Sequence, residues 1–499
     1  MDDRARPFDG CDDGAVDGVV GARGVVAAGH RLTAAAGADV LGRGGNAFDA
    51  TVAALAMACV CEPVLCAPGA AGFAMIRDGA SGVVSVLDFF AHTPLERRAD
   101  EAAVRGVDAD FGTARQAFHI GPATVATPGF FDGVEAIHRM GATVALDQLV
   151  AAAVDAARTG IEVTPFQHHL STVVATILTA TDGAAALFAP NGEVVRAGDM
   201  FRNPGLADAL EILARDGFRR SAIGRACLAA QAERGHLTAA DLDAYETIER
   251  TPLTFHVGGS RIHLNPLPAA GGTLVAHTLD ELDSSDPVAI ARAVAATGDA
   301  RRYADGSLAD LASLTLRRRG TTHVSVVDRD GTACAVTVSN GEGNGELIDG
   351  YGFMLNNILG EDDVNPAGLS SWPTDTRLSS MMCPTIIEDA DGAVTALGSG
   401  GSNRIRSAVA QVIHRLCVDG ADLASAVEAP RVHVERGHLD FEDQFSAALR
   451  ERLCAEFPDH RGWPQPNLYY GGVHAARLAS DGAFAGVGDT RRDGVAIVV

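Results

Sequence analysis

Two adjacent threonines, Thr321 and Thr322, stand where an arginine-rich stretch gives way to an apolar one, in the run Arg317-Arg318-Arg319-Gly320-Thr321-Thr322-His323-Val324-Ser325-Val326-Val327-Asp328. A threonine that opens a strand becomes a catalyst if the bond before it is cut, because the freed α-amine then lies beside its own hydroxyl. Such an amine titrates at about 7.7–8.0, so near neutrality it can take the hydroxyl proton and serve as a built-in base. Cleavage between Gly320 and Thr321 would leave residues 1–320 and 321–499 as the two pieces of a self-processing hydrolase.

The run resembles the start of the small subunit in the γ-glutamyltransferase family of N-terminal nucleophile (Ntn) hydrolases, a Thr-Thr-His-x-Ser-Val-Val-Asp motif. Further stretches resemble the family in the same order: residues 24–30 (GVVAAGH), 41–50 (LGRGGNAFDA), 121–129 (GPATVATPG), 237–245 (LTAADLDAY), 378–385 (LSSMMCPT) and 398–402 (GSGGS). The resemblance implies an α+β fold, a four-layer αββα sandwich in which both pieces share one domain, without metal or cofactor. It also implies roles: Thr321 as nucleophile, with Thr322 the adjacent alternative, and Ser339 in place of a threonine whose hydroxyl bonds the nucleophile's amine. His323 is then a structural partner, since the α-amine already serves as base. The glycine-rich run would offer oxyanion donors at Gly401 and Ser402, or one residue earlier at Gly400 and Gly401, and Ser379 and Ser380 would face the substrate.

The departures from the family pattern bear on substrate. Where the family places an arginine that grips the α-carboxylate of a γ-glutamyl group, this chain has Phe90, and a phenyl ring offers no donor to a carboxylate. Asn340 begins an altered segment, Asn340-Gly341-Glu342-Gly343-Asn344-Gly345, and Glu361 stands for the aspartate that holds the substrate's amine, with Asp362 beside it. Arg377 and Arg404 are candidates for a relocated carboxylate partner. The expectation is a small-molecule substrate other than glutathione. One branch of the family with a similar profile acts in pathways to 4-alkylproline antibiotics and hydrolyses a carbon–carbon bond to release an oxalyl group. The alternatives are a true γ-glutamyl hydrolase or transpeptidase and a scaffold whose chemistry has lapsed.

Composition narrows the partners. A net charge of −24 over 499 residues disfavours nucleic acid and anionic membranes, which both reward clustered positive charge. No lysine occurs, so the forty basic residues are arginines, a mark of GC-rich coding rather than of chemistry. The first ten residues are polar and acidic, which leads us to expect a cytoplasmic protein. Nine cysteines at irregular spacings suggest neither a disulfide framework nor a metal site; Cys66 alone falls in a loop that approaches the family's active site.

The elements that position these residues follow from periodicity. The β-rich runs 323–328 and 333–339, joined by Asp328-Arg329-Asp330-Gly331, predict a central hairpin, and Arg261-Ile262-His263-Leu264 a further strand. An all-apolar helix is predicted from Asn46 to about Val60, capped by Asn46 with Asp49 in its first turn. Helical spacing also marks 133–139, 146–157, 206–216 and 222–233. Residues 283–320 read as a polar, turn-rich, pliable segment ending at the proposed cut.

Overall fold

The computed structural model describes residues 14–98, 103–110, 115–303, 320–361, 369 and 371–499. At its centre Gly320–Asp328 pairs antiparallel with Ala333–Gly341, and both strands are buried along their whole length. Asp328 shapes the turn between them: its Oδ1 accepts from the backbone N–H groups of Asp330 and Thr332, each at 3.0 Å.

This hairpin is the core of a seven-stranded sheet ordered Val495–Val498, Gly24–Ala28, Gly320–Asp328, Ala333–Gly341, Ala71–Arg77, Val84–Phe89 and Ile248–Arg250. A second seven-stranded sheet runs Ala15–Val20, Ala483–Val487, Gly472–Leu478, Val394–Gly400, Thr385–Glu388, Ser260–Leu264 and Leu253–Val257. Because side chains alternate along a strand, each sheet sorts its residues between two apolar layers. Val26, Val324, Val326 and Val336 pack with Leu41, Val52 and Leu55 of helices Arg31–Gly42 and Ala47–Cys61. Their neighbours Val25, Val327 and Ala335 instead meet Ile386, Val394, Ala396 and Phe484 of the second sheet. Beyond that sheet, Ile262, Leu397 and Val473 cover Leu274, Val409 and Ile413 of helices Ala270–Asp280 and Arg404–Cys417. The result is the four-layer αββα sandwich.

Helix Ala47–Cys61 is buried at every residue and starts in a capping box: Asn46 Oδ1 accepts from Asp49 N–H, and Asp49 Oδ2 accepts from Asn46 N–H. The predicted helices fall within or close to Phe130–Gly141, Leu146–Thr159, Pro204–Asp216 and Ala222–Gln231. The segment from 283 differs from expectation in its first half, where a helix runs Pro287–Tyr303. Asp286 and Pro287, read as turn signals, are instead a cap and a first helical residue: Asp286 Oδ1 accepts from Val288 N–H at 2.8 Å, and Val288, Ile290, Ala291 and Val294 bury against Val432, Val434, Leu439 and Phe441. Residues 304–319 lie outside the described residues. Among those described, no helix is long and apolar enough to cross a membrane.

Candidate active site

The Gly320–Thr321 bond lies inside the hairpin, where the ladder slips. Gly320 pairs with Gly341 but Thr322 pairs with Val338, so Thr321 alone spans Ser339 and Asn340. A bulge of this kind breaks the regular pairing and re-aims the backbone. The Gly320 carbonyl consequently accepts from the Ser339 hydroxyl at 2.5 Å, and the Gly320 N–H donates to Glu342 Oε1 at 2.9 Å. Both polar backbone atoms of Gly320 are thus held by side chains within four residues of each other. Thr321 itself is buried.

On the inter-sheet side, the Thr321 carbonyl accepts from Arg492 Nη1 at 3.3 Å. A Cβ built on Gly400 would lie only 2.3 Å from the same oxygen, so the second sheet approaches Thr321 this closely only because residue 400 is glycine. The chain then turns through Gly401 (φ +126°) and Ser402 (φ +55°) into the helix Arg404–Cys417. Of the predicted oxyanion run, Gly400 is the residue packed on Thr321.

On the helix side, Thr322 Oγ1 donates to Glu62 Oε2 at 2.6 Å, and Thr33 Oγ1 donates to Glu62 Oε1 at 2.7 Å. Glu62 is the first residue beyond the apolar helix and is fully buried; burial pushes its carboxyl up to about 7, with the two hydroxyls pulling the other way. Sequence reading missed Glu62, although a charged residue ending a wholly apolar helix is itself a signal that the charge sits in the core. His323 bonds Thr337 Oγ1 at 2.7 Å and Ser325 Oγ at 2.9 Å, and burial drives its pKa well below the ordinary imidazole value. It is a neutral ring in the inter-sheet core.

The other predicted residues separate into those near the bond and those elsewhere. A Cβ on Gly341, the register partner of Gly320, would lie 2.8 Å from Glu361 Oε1, which places that carboxylate beside the hairpin end. Asn340 points its amide at the Met354 carbonyl, 3.4 Å away. Asp362 lies outside the described residues. Ser380 Oγ accepts from Met382 N–H at 3.2 Å, while Ser379 Oγ is buried with no hydrogen-bond partner among the described residues.

Phe90 stacks on Phe73 with ring centroids 5.1 Å apart, inside the inter-sheet core. Arg377 donates to the carbonyls of Phe90 and Glu246, lies over the Tyr245 ring at 4.6 Å, and lines a cleft of about 190 Å³ with His92, Thr127, Asp241 and Tyr245. Arg404 donates to the Tyr469 carbonyl at 2.9 Å and stacks on that ring. Cys66 is buried with its thiol pushed well above the usual range by burial, so it is not a reactive thiolate.

The chain as a whole is similar to known proteins. The Gamma-glutamyltranspeptidase family model matches residues 33–300 and 292–499. The Acylase ACY 1 proenzyme of Pseudomonas sp. (strain V22) is 29% identical over 96% of this chain and 94% of its own length. In fold, the crystal structure of cephalosporin acylase from Bacillus halodurans matches with TM-score 0.81 at 22% identity, covering 100% of this chain and 99% of that one. LmbA2991HD matches with TM-score 0.79 at 21% identity, covering 97% and 99%. A family model that runs through both sheets and across the Gly320–Thr321 bond leaves one conclusion: the chain is an enzyme of the gamma-glutamyltranspeptidase family.

Proposed function

We propose that the chain cuts itself between Gly320 and Thr321 and then works as an N-terminal-threonine acyl hydrolase on a substrate other than a γ-glutamyl amide. The observation that carries this reading is the grip on Gly320, with its carbonyl on Ser339 and its N–H on Glu342. Attack by Thr321 Oγ on the Gly320 carbonyl carbon develops negative charge on the oxygen that Ser339 already bonds. Collapse breaks the C–N bond, the hydroxyl proton passes to the Thr321 nitrogen, which departs as an amine, and Gly320 is left ester-linked to Thr321 Oγ. Water opens the ester, giving a Gly320 carboxylate and a Thr321 with free hydroxyl and α-amine. In turnover that amine takes the hydroxyl proton as Oγ attacks the substrate, hands it to the leaving group, and later activates the water that releases the acyl group. Residues 1–320 and 321–499 are then two subunits of one enzyme.

Acyl hydrolysis accords with the acylase relative. A γ-glutamyl substrate accords less well, because its carboxylate calls for a paired donor such as arginine. Phe90 supplies none, and Arg377 already donates to two carbonyls. Oxalyl removal, the finer expectation, would use the same nucleophile with a stabilised carbanion as leaving group. It also sets a carboxylate oxygen where the Gly320 nitrogen now meets Glu342 Oε1, so that an acceptor would face an acceptor.

Intact-mass measurement tests the proposal: wild type should give pieces 1–320 and 321–499, and Thr321→Ala a single uncut chain. The processed enzyme should turn over γ-glutamyl-p-nitroanilide slowly if at all. An uncut wild type that is nevertheless active, or a Thr321→Ala chain that still cuts, sinks the mechanism; oxalate released from an oxalyl-bearing pyrroline would favour the carbon–carbon reading.

A further inference from the structure

The ester formed when the chain cuts itself and the acyl-enzyme formed in turnover are the same linkage on the same Thr321 oxygen. Gly320 is therefore the first acyl group this site holds, and its surroundings are a template for the acyl groups that follow. The reasoning rests on the reading of Thr321 given above.

Three contacts define the template. The Gly320 carbonyl takes the Ser339 hydroxyl, and the nitrogen on the next atom, attached to the Gly320 Cα, donates to Glu342 Oε1 at 2.9 Å. The third contact is steric. An L-configured Cβ at residue 320 would lie 2.6 Å from the Gly341 carbonyl oxygen, 3.1 Å from Leu65 Cδ2 and 3.2 Å from the Val64 carbonyl oxygen. Two of those neighbours are backbone in or beside buried elements, so they yield little.

When the large-subunit end leaves, the Glu342 carboxylate remains on the wall of this space. It is buried, and its own backbone N–H donates to Asn357 Oδ1 at 2.9 Å, which fixes the loop that carries it. The Oε1 that accepts the Gly320 N–H suits another N–H donor in its place.

We infer that Glu342 is a specificity-determining residue, selecting acyl groups that carry a nitrogen donor on an unbranched carbon next to the scissile carbonyl. A γ-glutamyl group does not meet this description, because its amine lies three carbons from the carbonyl.

The test uses the processed full-length enzyme with three anilides: glycyl-, acetyl- and L-alanyl-p-nitroanilide. Glycyl should exceed acetyl in kcat/KM by about tenfold to a hundredfold, the range of a hydrogen bond to a charged group. L-alanyl should fall below glycyl by at least about tenfold. In Glu342→Gln the glycyl-to-acetyl ratio should drop about tenfold while the chain still cuts, since the amide oxygen can accept the Gly320 N–H. Gly320→Ala supplies a readout independent of that variant: its self-cleavage should slow by at least about tenfold.

A wild-type ratio near one, the same ratio in Glu342→Gln, or wild-type cleavage speed in Gly320→Ala overturns the inference. A correctly cut enzyme that turns over none of the anilides also overturns it and leaves the Thr321 reading standing, whereas an uncut chain overturns both.

Discussion

Glu62 and Asp489 are carboxylates at the same depth, both essentially without solvent contact, and burial pushes both toward the protonated form. They end on opposite sides of their ordinary values. Asp489 receives Arg431 Nη2 at 2.6 Å and Arg491 Nη1 at 3.2 Å, and these cations more than offset burial, holding it down to about 2. Glu62 receives two threonine hydroxyls, whose dipoles offset only part of the same penalty, and it sits at about 7. Depth does not decide protonation; partners do. The region under Asp489 is a scaffold of paired charges, whereas the region under Thr322 keeps a carboxyl that titrates near neutrality against the nucleophile strand.

The largest expected effect breaks the paired side. Asp489→Asn strips the counter-charge from Arg431 while Arg491 retains Glu442 at 2.7 Å, and should cost about 3–5 kcal/mol in urea unfolding near neutral pH. Because the native pKa is depressed, the wild-type contribution of this carboxylate is present above its ordinary 3.8 and is lost as pH falls through about 2. A loss below about 1 kcal/mol would remove the contrast.

The Glu62 side has the opposite sign. A native pKa raised from 4.5 to about 7 favours the protonated form in the folded state, so its contribution is present below 4.5 and is lost as pH rises through about 7. Two and a half units correspond to about 3 kcal/mol across that window. Unfolding of wild type and Glu62→Gln at pH 5 and pH 8 checks it: the variant should lack that part of the slope, and parallel curves would end the comparison. Ser339→Ala should be smaller still, slowing self-cleavage about tenfold to a hundredfold by removing the donor on the Gly320 carbonyl, with Ser339→Thr restoring most of the rate. A time course of the uncut fraction reads it directly.

Much of this was legible in the sequence because it is local. The β-rich runs joined by Asp328-Arg329-Asp330-Gly331 gave the hairpin, Asn46 and Asp49 gave a helix start, and Ser339 could be set near the Gly320–Thr321 bond by motif. What escaped depends on distant packing. Glu62 meets Thr322 across 260 residues, and nothing in either stretch announces the other. Phe90 and Arg377 occupy promising positions in sequence, yet the phenyl ring, one residue past the strand Val84–Phe89, packs into the inter-sheet core, and the carbonyls of Phe90 and Glu246 capture the guanidinium. Ser-Ser-Asp-Pro before residue 288 was read as punctuation because the same residues that break one element also begin the next.

The strand order carries one more consequence. In the first sheet Gly24–Ala28 lies between Val495–Val498 and Gly320–Asp328, and in the second the outermost strands at both edges come from residues before 320 while the centre comes from residues after it. A chain severed at Gly320 would be held as interlaced fingers, with no flat interface along which two bodies could part. Separating the pieces means melting both sheets. An intact chain that melts can find its way back alone; a severed one must first meet its other half, a second-order search that dilution slows. The cut would convert a reversible molecule into one whose lifetime is set by how rarely it opens.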